Sequence, residues 1–104
     1  MSENRESIDA KRVFPPLHDS NPGDFCWDFD GDALGGKRTD ETHWLYIHLP
    51  GEQHRGAIQV RRGAPGGDRV WGWDGNEDKP TLQPSIHHVG VWHGHLVAGR
   101  LVSC

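Results

Sequence analysis

The apolar positions of this chain fall in short alternating runs, not in helical stripes. At 25–29 (FCWDF) the aromatics Phe25, Trp27 and Phe29 recur at every second position, which sets them on one face of a strand. At 43–49 (HWLYIHL) both parities carry bulk, with Trp44, Tyr46 and His48 on one side and Leu45, Ile47 and Leu49 on the other. A strand covered on both faces is expected to be central. Residues 56–62 (GAIQVRR) alternate more cleanly, with Ile58 and Val60 inward and Gln59 and Arg61 outward. The turn-rich segment 63–68 (GAPGGD) leads into 69–73 (RVWGW), and the two runs are expected to pair as a hairpin. Between 79 and 86, Pro80 and Pro84 remove two ladder donors, so this stretch is expected to be an extended edge or a strap over the sheet. Three further runs follow at 89–92, 95–97 and 100–103. A tight turn at Ala98-Gly99 joins the last two, with glycine supplying the positive φ.

No window sustains a 3.6-residue apolar period, and no internal repeat is visible. The chain has 104 residues, 14 of them Gly and 7 Pro, which argues for many short elements joined by turns. The expected fold is all-β: one small domain over 21–104, a sandwich or rolled antiparallel sheet of six to seven short strands. Residues 1–20 are polar up to Val13-Phe14-Pro15-Pro16-Leu17, where the prolines impose extension. They read as an N-terminal arm, either disordered or laid on the domain surface by Phe14 and Leu17.

The formal net charge of −4 argues against a nucleic-acid partner held by a basic face. No apolar run approaches the ~20 residues of a membrane-spanning helix, and the start of the chain has no apolar signal core. The expected setting is the cytoplasm, with no membrane partner. Cys26 and Cys104 make no disulfide framework and no C-x-x-C site; the sequence allows one bridge between them, and two free thiols are the expectation in a reducing cytoplasm.

Four groups of residues could carry chemistry. His93-Gly94-His95 presents two imidazoles to one side of a strand, and His48 or His54 could add a third. Such a set suits zinc or another divalent metal, with ordinary hydrogen-bonded histidines as the alternative. The H-x-H pair resembles the cupin metal motif, but residues 96–104 hold no Glu or Asp to complete it. Asp74-Gly75-Asn76-Glu77-Asp78 reads as a polar turn, because the EF-hand spacing is not met. Asp28, Asp30 and Asp32 read as a solvated acidic edge. Cys26, between two aromatics, reads as a quiet, partly buried thiol. The five tryptophans could stack bases, pack a core or form a protein-binding patch. No nucleophile elbow and no phosphate-binding glycine loop is present.

Trp71-x-Trp73-x-Gly75-Asn76, Pro80-Thr81-Leu82-x-Pro84-Ser85-Ile86 and Trp92-His93-Gly94 with Gly99 resemble a family of small bacteriophage and prophage proteins of unknown function. Some of these carry the unsupported label ammonia monooxygenase. The likeness covers about residues 44–104. Many such relatives look like zinc binders, with cysteines near the equivalent of 49–54 and before the histidine at 93. This chain keeps His54 and His93 and lacks those thiolates, so a His-based site and no metal at all are both consistent.

The resemblance implies a phage-linked accessory role. With no complete catalytic set in the sequence, the first expectation is a protein-binding module that uses Trp71, Trp73, Trp92, Pro80 and Pro84 against a protein partner. The rival is a His-ligated metal protein or metal-dependent hydrolase using His93, His95, His54 and His48. A third reading is single-stranded nucleic-acid binding through exposed tryptophans.

Overall fold

The computed structural model describes residues 7–13, 21–30, 42–52, 56–63 and 70–104. These residues form ten strands and no helix, in keeping with the expected all-β class and with more strands than expected. In chain order they are β1 (Ser7–Asp9), β2 (Lys11–Arg12), β3 (Asp24–Trp27), β4 (Thr42–Ile47), β5 (Gly56–Arg62), β6 (Trp71–Trp73), β7 (Leu82–Gln83), β8 (Ile86–His88), β9 (Trp92–Val97) and β10 (Arg100–Ser103). They build a four-stranded sheet of order β1-β10-β9-β8 and a six-stranded sheet of order β2-β3-β4-β5-β6-β7. No helix among the described residues is long and apolar enough to cross a membrane.

The alternation read from the sequence selects the buried faces. In β4, His43, Leu45 and Ile47 are buried, while Trp44 is 40% exposed on the opposite side. The strand is central, as expected, but only one of its faces is fully covered. In β9, Gly94 and Leu96 point inward and His93, His95 and Val97 outward. The core gathers Phe25, Trp27, Leu45, Ile47, Val60, Leu82, Ile86, Leu96 and Leu101 from both sheets.

The expected hairpin of 56–62 with 69–73 is corrected. β5 and β6 run parallel, with Val60 opposite Trp71 and Arg62 opposite Trp73. This register carries Trp73 to Trp27, with ring centroids 4.4 Å apart, and the Trp73 indole N–H donates to Asn76 O at 2.9 Å. Aromatic burial with a satisfied indole thus sets the strand direction.

The arm is also corrected where it is described. β1 pairs antiparallel with β10, and β2 pairs parallel with β3, so residues 7–12 belong to both sheets. Phe14 and Leu17 lie outside the described residues. Arg12 enters this arrangement as a charge. Its guanidinium meets Asp30 at 2.5 Å and Asp78 at 2.9 Å, and these hydrogen bonds raise its pKa further against the cost of burial.

Asp28 and Asp30 therefore form no solvated edge. Asp30 is 3% exposed and accepts the Trp27 N–H as well as the Arg12 guanidinium. Asp28 accepts the Trp44 N–H and faces the His43 ring at 3.1 Å. Asp32 lies outside the described residues. The 74–78 segment is a polar turn, as expected. Asp74 Oδ1 accepts the N–H groups of Asn76 and Thr81, and Asn76 Oδ1 accepts those of Asp78 and Lys79.

The proline strap behaves as expected. It supplies β7 at one edge of the larger sheet and β8 at one edge of the smaller, with a cis Gln83-Pro84 bond between them. The Ala98-Gly99 turn joins β9 to β10. Both residues have positive φ (48° and 76°), the conformation of a type I′ hairpin turn. Both cysteines are unbridged, Cys26 fully buried and Cys104 exposed.

Candidate functional site

The β8–β9 hairpin places a hydroxyl against an imidazole. Ser85 immediately precedes β8, and its Oγ lies 3.2 Å from His93 Nε2 on β9. The strand register explains the meeting. Ile86 pairs with Gly94, His87 with His93 and His88 with Trp92, so Ser85 lies one step along the diagonal from His93. At the turn, Val91 N–H donates to His88 O, and Gly90 takes a φ of 79°.

Backbone direction can be read from one bond. The Cys104 N–H donates to His93 O at 3.0 Å, so the polar groups of His93 face β10. In an antiparallel ladder the N–H and C=O of one residue point the same way, so His87 and His93 form a non-hydrogen-bonded pair. Side chains come closest at such pairs, and the two imidazoles stack with centroids 4.5 Å apart at 30°. The His87 N–H and C=O then turn away from β9, towards the open edge of β8. Ser85 follows the same parity, and its carbonyl accepts the Trp71 indole N–H at 3.2 Å.

Gly94 holds the other side. A Cβ at this position would collide with Val102 O and the Trp92 ring. The indole occupies the space that glycine leaves, and its N–H donates to Ser103 Oγ at 3.0 Å. His93 and His95 project from the opposite, exposed face.

With its proton on Nδ1, the His93 ring accepts the Ser85 hydroxyl proton at Nε2, the direction general-base activation requires. Among the described residues, the His93 ring meets, besides Ser85, a second imidazole rather than a carboxylate. Two other histidines do face carboxylates. His43 faces Asp28, but it is 1% exposed and lies edge-on to Phe29 and Trp73, where it serves packing. His88 Nδ1 meets Glu52 Oε1 on the far side of the hairpin from Ser85.

Of the four expected metal ligands, the three that are described do not come together at one point. His48 is buried and donates from Nε2 to Glu52 O at 2.6 Å. His93 meets Ser85, His95 lines a separate depression with Ser85 and Val97, and His54 lies outside the described residues. No group of three or more His, Cys, Asp or Glu able to hold a metal occurs among the described residues. Of the expected docking residues, Trp73 and Pro80 are buried in the core. Trp71 and Trp92 are half-buried with their indoles bonded, and Pro84 is exposed.

Sequence reasoning reached His93 as a ligand and missed Ser85. The signal was a serine following proline at the mouth of a strand, eight residues before a histidine on the next one. It lacks the glycines of a nucleophile elbow.

No curated protein and no solved structure matches the chain. A family model does match, over residues 22–104, and its description is the bacterial ubiquitination-like system serine protease BubE. The match gives no support to the phage family or to the ammonia monooxygenase label. It covers β3 to β10 together with the Ser85–His93 pair, and the chain belongs to the BubE family.

Proposed function

We propose that this protein is a serine protease of a bacterial ubiquitination-like system, with Ser85 as nucleophile and His93 as general base. The observation that carries this reading is the 3.2 Å approach of Ser85 Oγ to His93 Nε2 on an exposed face. The family description names the same chemistry. In the reaction, Ser85 Oγ attacks a peptide carbonyl carbon while His93 Nε2 takes the hydroxyl proton. The tetrahedral intermediate collapses, the C–N bond breaks, and His93 returns the proton to the leaving amine. Water, deprotonated by the same ring, then attacks the acyl-serine and releases the acid. His87 stacks on His93 and fixes its ring plane, the orienting task that a carboxylate performs in a Ser-His-Asp triad.

The ubiquitination-like system in the family description makes a protein the expected substrate. This absorbs the protein partner expected from the sequence, since a protease must bind the chain it cuts.

A fluorophosphonate probe tests the assignment. Wild-type protein should be labelled covalently and Ser85→Ala should not. Peptidase activity should fall on the order of 10⁴-fold or more in both Ser85→Ala and His93→Ala. Labelling or cleavage that persists in Ser85→Ala would sink the assignment.

A further inference from the structure

Beside the Ser85–His93 pair lies a trough of about 400 Å³, walled by Trp44 of β4, Ile47, Trp71 of β6, Ile86 and His87. Three observations bear on what it takes. First, it shares a wall with the reacting pair, because His87 both lines it and stacks on His93. Second, β8 ends the four-stranded sheet, so the His87 N–H and C=O, turned from β9, meet no neighbouring strand among the described residues. An edge of this kind accepts an extended chain by strand addition. Third, the wall is apolar. Trp44 stands 40% exposed along it. The carboxylate among the described lining residues, Glu52, has its Oε1 held by His88 Nδ1.

We propose that this trough is the channel for the substrate chain: an extended peptide pairs with the His87 backbone and lays a bulky apolar side chain against Trp44 and Trp71. The trough then sets specificity, and the residue it selects lies at a fixed distance from the scissile bond. Trp71 also holds the Ser85 carbonyl, so its role in specificity is entangled with the geometry of the nucleophile. Trp44 is separate from the reacting pair and is the residue to test. The inference rests on the Ser85–His93 assignment for its meaning, but its binding part can be measured alone.

Three measurements on the full chain separate the outcomes. Capped alanine hexapeptides carrying one Leu or Phe at successive positions are incubated with wild type and Trp44→Ala, and cleavage is read by mass spectrometry. Hydrolysis of p-nitrophenyl acetate reports the Ser85–His93 pair without the trough. Binding of the same peptides to Ser85→Ala is followed through the Trp44 indole N–H resonance.

Wild type should prefer the apolar residue at one position. Trp44→Ala should lose that preference on the order of tenfold in kcat/KM while ester hydrolysis is unchanged. The Trp44 resonance should shift with the Leu and Phe peptides and not with all-Ala. Ser85-dependent cleavage with no apolar preference and no Trp44 shift overturns the trough alone. A Trp44 shift without Ser85-dependent hydrolysis overturns the protease assignment and leaves the trough as a peptide site. Neither signal overturns both.

Discussion

Gly94 fixes the reacting pair through a side chain it lacks. The Trp92 ring lies across it, so a methyl group at 94 must displace either the indole or the backbone of β10. Overpacking of this kind costs about 1–3 kcal/mol. Gly94→Ala should lower the chemical-denaturation midpoint accordingly. Fluorophosphonate labelling should fall more steeply than the folded fraction does, because His93 is the next residue. Equal losses in both would show that the position serves stability alone. Ser85 makes the opposite point. It is a small polar residue in the proline-rich Pro80–Ile86 motif, where nothing marks it as a nucleophile. Its partner lies on another strand, and only the register of β8 against β9 reveals the pair.

At the scale of elements, periodicity made the strands legible and left their pairing hidden. The run at 56–62 matches β5 residue for residue, and the tight turn at 98–99 was visible as Ala-Gly between two apolar pairs. The direction of β6 was not visible, because a Gly-rich segment is compatible with a hairpin and with a return to parallel. Trp27, distant in sequence, decides between them through its contact with Trp73. The two short strands of the arm were illegible for a related reason. A segment rich in charges reads as solvated, and nothing local announces that Arg12 finds Asp30 and Asp78. Arg12→Ala leaves Asp30 buried and short of its cation. The expected cost is about 3 kcal/mol, the low end for a buried pair because Arg12 keeps 17% exposure. Hydrogen exchange should show β2 and its neighbours opening first. Exchange rates equal to wild type in β2 would mean that the arm is held by other contacts.

For the whole molecule, the two sheets share one core, so a change at either face is felt as global stability. Tyr46 offers a measurable case. Burial first, then the charges of Asp28 and Cys26, hold its phenol above the ordinary value of 10.0. The folded state therefore retains the proton more firmly than the unfolded chain does. Stability is complete below pH 10 and declines as pH rises through the interval between the two values. Tyr46→Phe should flatten that alkaline decline while leaving the neutral-pH midpoint nearly unchanged. An alkaline slope identical to wild type would assign the loss to other groups. The placement of the site has a different consequence. Ser85 and His93 meet across one short hairpin, but the Ser85 carbonyl is held by the Trp71 indole of the larger sheet, and the trough beside them is walled by residues of both sheets. A shift of one sheet against the other therefore disturbs the proposed nucleophile and the proposed channel together. Under mild destabilisation, acylation by a fluorophosphonate and discrimination among peptides are expected to decline in step.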